Sequence, residues 1–244
     1  MGIITWLKKV NSNTLYYPGC LTKSVLQDHL ENYKQIFNIL GIDFIILSED
    51  ICCGMPALNA GYSKDTRELA KKNFELFKKY NVRKIITNCP SCYSILKFEY
   101  PKLVREWDIE VEHATVTILN ALKNRRIPDT KKEKITYHDP CHLGRYSEIY
   151  DAPRQVLQLL GAEIIEMKHS KDQALCCGAG AGLQANYPDM AKNIAKLRIS
   201  EIPRQAEKIV SPCGLCSANL KSATDKSEEF SSFVLRKIKE LKLR

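Results

Sequence analysis

The sequence predicts an α/β fold of two similar tandem halves, each a small parallel sheet with flanking helices, related by a pseudo-two-fold. Three observations predict it. The ten cysteines fall into two groups of one pattern, the same succession of segments repeats around them, and short apolar runs alternate with amphipathic stretches of helical length. Strands alternating with helices of that length make right-handed βαβ units and parallel sheets.

The cysteines are Cys20, Cys52, Cys53, Cys89 and Cys92, then Cys141, Cys176, Cys177, Cys213 and Cys216. Each group reads C, then CCG, then CxxC. The gap from the CCG glycine to the CxxC pair is 34 residues in both, Met55 to Asn88 and Ala179 to Pro212. The gap from the first thiol to CCG is 31 residues in one half and 34 in the other. No cysteine lies outside the two sets.

Taken in order, the elements repeat as well. An apolar run, Thr14 to Tyr17 or Lys134 to His138, leads through a proline region to the first thiol. Amphipathic helices follow at Val25 to Leu40 and Ala152 to Leu160, each stopped by a glycine, Gly41 or Gly161. Strands are expected at Ile42 to Leu47 and Glu163 to Met167, and after CCG come helices at Lys64 to Tyr80 and Pro188 to Glu201. Strands at Lys84 to Thr87 and Lys208 to Val210 then run into Cys-Pro-Ser-Cys and Cys-Gly-Leu-Cys. Ser227 to Leu243 reads as a closing amphipathic helix. The boundary falls in a linker near Arg125 to Lys134, giving domains 1–124 and 125–244. The thiols thus follow strands, at the sheet edge where open α/β folds bind ligands.

Composition narrows the function classes. Over 244 residues, 44% hydrophobic and 27% charged content is ordinary for a globular chain with a core. No run approaches the roughly 18 apolar residues of a membrane helix, and Met1 to Lys9 has the wrong charge order for a secretion signal. The expected location is cytoplasmic, with no membrane span. The net charge of +9 is spread among acids, and no nucleic-acid signature accompanies it; a solvated surface or docking to an acidic redox partner explains it. In a reducing compartment ten cysteines indicate metal or redox chemistry, not a disulfide framework.

Thiolates are soft donors that select zinc, copper(I) or iron–sulfur clusters. A structural zinc takes four ligands, as do cubane clusters, so five thiols per half exceed both. Adjacent cysteines such as Cys52 and Cys53 suit an object larger than one ion, and the following glycine permits close backbone approach.

With Tyr17-Pro18-Gly19-Cys20 and the run Tyr137 to Arg145, these motifs resemble the CCG-domain iron–sulfur proteins from about Leu15 to Leu220. That family includes the B-type subunit of heterodisulfide reductases and the iron–sulfur subunits of glycolate, lactate and glycerol-3-phosphate oxidising enzymes. The resemblance implies noncubane 4Fe–4S clusters, one on Cys20, Cys52, Cys53, Cys89 and Cys92, another on Cys141, Cys176, Cys177, Cys213 and Cys216. Zinc at the N-terminal set is the alternative that some relatives suggest. The implied function is a redox subunit of a heterodisulfide reductase-like complex, passing electrons between a partner and a disulfide/thiol substrate. The alternative is a non-catalytic relay in a flavoprotein oxidising a 2-hydroxy acid or glycerol 3-phosphate. This sequence has neither the ferredoxin-type motif C-x2-C-x2-C-x3-C-P nor a flavin fingerprint. The expected partner is therefore a ferredoxin-like iron–sulfur subunit or a flavoprotein.

Other residues carry two readings. His138 and His142, flanking Cys141, are the candidate catalytic proton donors; the plainer role is to hydrogen-bond backbone or sulfur. Arg145 binds an anion or pairs with an acid, the second being expected. Ala179 to Gly182 and Gly61-Tyr62 fit close turns, the first over a cluster. Ile3, Ile4 and Trp6 are expected to pack on their own domain.

Overall fold

The structure is a computed structural model that describes residues 13–49 and 51–243. The expectation for Ile3, Ile4 and Trp6 lies outside those residues. Two parallel sheets carry the chain, and every cysteine lies within the described residues.

In the first half β1 (Thr14–Tyr16) leads to α1 (Cys20–Ser24) and α2 (Gln27–Ile39), then to α3 (Met55–Asn59) and α4 (Ser63–Lys79). β2 (Lys84–Thr87) feeds α5 (Pro90–Ser94), a π-helical turn at Ile95–Glu99 and α6 (Tyr100–Leu103). β3 (Glu110–His113) and α7 (Ala114–Lys123) close the half. The second half repeats this plan with β4 (Glu133–Tyr137), α8 (Asp151–Leu159), β5 (Ala162–Ile164), α9 (Leu183–Asn186) and α10 (Pro188–Ile199). It ends with β6 (Lys208–Ser211), α11 (Gly214–Lys221), β7 (Ser227–Glu229) and α12 (Phe230–Glu240).

The sheet orders are β1-β2-β3 and β5-β4-β6-β7, parallel throughout. The first sheet's counterpart of β5 is the strand expected at Ile42 to Leu47. It reduces to a single parallel bridge, Leu15 with Ile45. Its extended geometry survives: Ile42, Phe44 and Ile46 face one core, while Ile45 and Leu47 face another. That alternation is the period-two signature of a strand; the ladder is short because only Ile45 exchanges both backbone bonds, with Thr14 and Tyr16.

Other boundaries also depart from expectation. The helix expected over Val25 to Leu40 begins at Cys20 and breaks before Gln27. Ser227–Glu229 pairs with β6 and only Phe230–Glu240 is helical. The charged run Lys131 to Lys134 is not all linker, since Glu133 and Lys134 lie in β4. There the Glu133 carboxylate takes Arg236 at 3.0 and 3.1 Å and Lys237 at 3.1 Å, so its charge belongs to the fold.

The largest core joins the halves. Tyr33, Ile36 and Phe37 of α2 and Ile118 and Leu122 of α7 share it with Val156 and Leu157 of α8 and Phe233 and Val234 of α12. α2 packs on α12, and α7 packs on α8. Because α2 corresponds to α8 and α7 to α12, the two contacts are one contact repeated by a pseudo-two-fold. The outer faces of the sheets carry their own cores, under α4 to α6 on one side and under α10 and α11 on the other. The layered burial leaves one polar edge in each half, at the carboxyl ends of the strands. Every thiol sits there.

Candidate metal centres

Each thiol is placed by a short local device. β1 and β4 end at Tyr16 and Tyr137, and the next residue's N–H still bonds the central strand: Tyr17 to the Ile86 carbonyl at 2.8 Å, His138 to the Val210 carbonyl at 2.9 Å. Three residues later come Cys20 and Cys141. Cys89 and Cys213 are the N-cap residues of α5 and α11. Pro90 suits the first helical position, where its missing N–H would have had no partner. The Cys213 sulfur accepts the Cys216 N–H at 3.5 Å. Cys52 and Cys176 accept the N–H of the CCG glycines, Gly54 at 3.5 Å and Gly178 at 3.3 Å.

The adjacent cysteines are pinned by side-chain donors. Asn73 donates to the Cys52 carbonyl at 3.0 Å and Tyr100 to the Cys53 carbonyl at 3.0 Å. In the other half Asn219 donates to the Cys177 carbonyl at 2.6 Å.

All ten thiols are free. The sulfurs of Cys53 and Cys92 approach to 3.3 Å, and those of Cys177 and Cys216 to 2.9 Å. In both sets the second cysteine of the pair and the last of CxxC are buried, while Cys20 and Cys176 are exposed. Each set is therefore a cup with a sulfur floor and an open rim.

The thiols perturb one another strongly. Cys52 is held well below its ordinary value by hydrogen bonds from Cys20 and Cys53, and Cys20 is pushed far up by the same contact with Cys52. Cys89 falls to about 7, first through Cys92 and then, against burial, through the backbone N–H groups of Cys92 and Ser91. Cys177 is lowered by Cys176, Cys216 and, beyond the cost of burial, His138, while Cys216 is raised by Cys177 and Cys213. Burial, then Cys177 and Cys213, raise Cys141. Neighbouring thiols cannot all ionise side by side without cationic charge among them. A bound metal group would supply that charge.

The cradle fits such a group. Gly19, at φ +78°, passes so near the sulfurs that a Cβ there would lie 2.9 Å from the Cys92 sulfur. His138 Nε2 is a buried polar atom with no hydrogen-bond partner, and a ring nitrogen of His138 lies within 4.8 Å of the Cys177 and Cys216 sulfurs. The structure thus brings together each five-cysteine set and adds His138 to the second.

The other candidates are placed differently. Burial lowers the His142 pKa; its ring lies tilted against Tyr146, centroids 5.0 Å apart, and its carbonyl accepts from Ser147. Arg145 does not pair with an acid side chain: it donates to the backbone carbonyls of Asp172 at 3.2 Å and Ala174 at 2.8 Å, strapping the segment before Cys176. The turn after the second CCG makes its close approach at Gly178, whose Cβ would meet the Ala191 carbonyl at 2.6 Å, while Gly180 has nothing within 4 Å. The tight contact is with α10 rather than over the sulfurs.

Sequence reasoning missed the polar residues beneath the second set. Arg154 grips Asp139 with two bonds, 2.7 and 2.8 Å, and also Glu166. Arg198 is fully buried, and its Nε donates to His138 Nδ1 at 3.1 Å. A signal was present: Arg198 follows Ala191 and Ala195 at helical spacing, on the face of α10 that is wholly buried.

The CCG family model, described as a cysteine-rich domain, matches residues 14–97 and 135–221. The chain belongs to the CCG cysteine-rich domain family. CCG relatives include the D-type subunit of the dihydromethanophenazine:CoB–CoM heterodisulfide reductase of Methanosarcina acetivorans, 33% identical over 223 residues, 88% of this chain and 54% of that protein. An uncharacterized iron–sulfur protein of Methanocaldococcus jannaschii is 31% identical over 215 residues, 88% of this chain and 42% of the relative. The probable iron–sulfur-binding oxidoreductase FadF of Bacillus subtilis is 33% identical over 202 residues, 81% and 28% respectively. The chain spans about half the length of these curated CCG relatives, or less. Among the described residues, no helix is long and apolar enough to cross a membrane.

Proposed function

We propose that this CCG protein is the iron–sulfur redox subunit of a heterodisulfide reductase-like complex, with a noncubane 4Fe–4S cluster in each five-cysteine set. The observation that carries it is the pairing of two sulfur cups, each with five free thiols and a buried sulfur pair at 3.3 or 2.9 Å. The names of the relatives, a heterodisulfide reductase subunit and iron–sulfur proteins, support the same chemistry. Held by these cysteines, a cluster would supply reversible one-electron chemistry beside the rim.

The chain's own residues hold and orient. Gly54 and Gly178 aim backbone N–H groups at sulfur. Asn73, Tyr100 and Asn219 fix the adjacent cysteines, and Arg145 and Arg154 fix the loops on either side of the second cup. Exposed Cys20 and Cys176 mark the rims as the side from which a disulfide and a partner protein approach. The floors, closed by Cys53, Cys92, Cys177 and Cys216, exclude water.

The test is thiol release from a small-molecule heterodisulfide by the iron-loaded protein with a reduced ferredoxin-like carrier. Turnover supports the reductase reading. A second reading, to which the likeness to the iron–sulfur-binding oxidoreductase FadF is equally suited, is a relay serving a flavoprotein that oxidises a small substrate. That relay would exchange electrons with the flavoprotein and leave the disulfide intact.

A further inference from the structure

The two cups are alike in cysteines and unlike in what lies beneath them. Counting from each CCG glycine, Phe74 stands in the first half where Arg198 stands in the second. Tyr17 stands where His138 does, as their equivalent backbone bonds to Ile86 and Val210 show. The Tyr17 hydroxyl donates to the Ile51 carbonyl at 2.5 Å. Phe74 packs on Trp107, with ring centroids 5.7 Å apart. Among the described residues, no histidine groups with the N-terminal sulfurs as His138 does with Cys177 and Cys216.

We propose that His138 is a fixed N–H donor to the sulfurs of the C-terminal centre, locked by Arg198, and that it makes this centre the more oxidising of the two. This rests on the reading that both sets hold iron–sulfur clusters. The guanidinium does not give up its proton, so Arg198 Nε must donate at 3.1 Å and His138 Nδ1 must accept. A neutral imidazole then carries its proton on Nε2. Nε2 has no hydrogen-bond partner, and a ring nitrogen of His138 lies within 4.8 Å of the Cys177 and Cys216 sulfurs; with Nδ1 taken by Arg198, Nε2 is the nitrogen left to turn to sulfur.

Arg198 is itself held. Its Nη1 donates to Glu201 Oε2 at 2.6 Å and to the His169 carbonyl at 2.8 Å, and Glu201 also bonds the His169 ring. His138 is 1% exposed and Arg198 0%, so water does not compete for either.

The same geometry removes two rival roles. Ligation through Nε2 requires the proton on Nδ1, where it would face the Arg198 donor. Acting as a proton source would leave an imidazolate, because Nδ1 holds no second proton. His138 is a positioning residue for sulfur charge. An N–H bond to sulfur stabilises the more negative, reduced state and raises the potential. A dry site strengthens the effect.

The experiment is a redox titration of the anaerobically purified, iron-loaded full chain, followed by EPR. The double variant His138→Tyr/Arg198→Phe gives the second half the pair that the first half already folds around. The expected result is that one signal moves about tenfold against reduction, about 59 mV for a one-electron couple, towards the other, which stays put. His138→Gln keeps an N–H and is expected to retain most of the wild-type value. Unmoved potentials, or iron lost on substitution, would overturn the inference while leaving the cluster reading intact. Protein without iron would end both.

A readout on the unaltered protein guards against variants that fail to fold. ENDOR of ¹⁵N-histidine-labelled protein, exchanged into D2O, is expected to show an exchangeable proton and only weak nitrogen coupling at one centre. Strong coupling would mean direct ligation, and no exchangeable proton would mean no donor; either result rejects the proposal.

Discussion

Arg154 closes on both oxygens of Asp139, at 2.7 and 2.8 Å, directly beneath the turn that carries Cys141. The pair is buried, the guanidinium lies 4.6 Å above the Tyr137 ring, and the Lys171 N–H adds a third bond to the carboxylate at 2.9 Å. Pro18 occupies the equivalent place in the first half, so this clamp is peculiar to the second.

Breaking the clamp from one side strands a buried charge. Arg154→Ala is expected to cost about 3–5 kcal/mol, the usual penalty for an orphaned partner of a buried ion pair. Urea unfolding measures it. A cost under about 1 kcal/mol would show that water reaches Asp139 and that the clamp does not set the Cys141 turn.

Two glycines distinguish a cradle from a loop. Gly19→Ala forces an L-residue to φ +78° and puts a methyl 2.9 Å from the Cys92 sulfur, so metal content of the N-terminal set is expected to fall. Gly180→Ala meets nothing within 4 Å and is expected to change stability by no more than about 0.5 kcal/mol. Equal effects in iron assay and thermal melts would refute the assignment of Gly19 to the cradle.

His113 gives the fold a pH dependence. It caps α7, its Nδ1 accepting from the Thr115 backbone N–H at 3.3 Å, and burial drives its pKa from 6.5 down to about 3. The unfolded chain therefore binds the proton first. The stability it contributes is complete above about pH 6.5 and is lost as pH falls towards about 3, by at most about 1.4 kcal/mol per pH unit. His113→Asn keeps a capping acceptor without the titration. Its urea-unfolding profile is expected to be flatter across that window; an unchanged slope would assign the dependence elsewhere.

Much of the candidate site was legible in the sequence and rather less of the fold. The cysteine repeat named all ten thiols, and β2 falls on the expected Lys84–Thr87 because its apolar run is short and clearly bounded. β3 and β7 were missed because Glu110–His113 and Ser227–Glu229 have no apolar run; pairing with β2 and β6 makes them strands. The exchange of α2 onto α12 and α7 onto α8 was also hidden, since an amphipathic face states that it will be covered and not by what. His138 was singled out for its place beside Cys141, yet its geometry is set by Arg198, sixty residues along the chain.

Single thiol removals separate the cups. Cys53→Ser and Cys177→Ser each delete a floor sulfur of one set only. Each is expected to lower iron and sulfide by about half, with the remaining EPR signal at its wild-type potential. Loss of all iron from either variant would argue for one centre shared between the sets.

The most direct measurement is the metal and acid-labile sulfide content of the anaerobically purified chain, read with its visible spectrum. Two sulfur cups loaded as proposed give a brown protein with iron and sulfide in about equal amounts, several ions to each set. A colourless protein without sulfide, holding about one zinc per set, would contradict the redox reading outright.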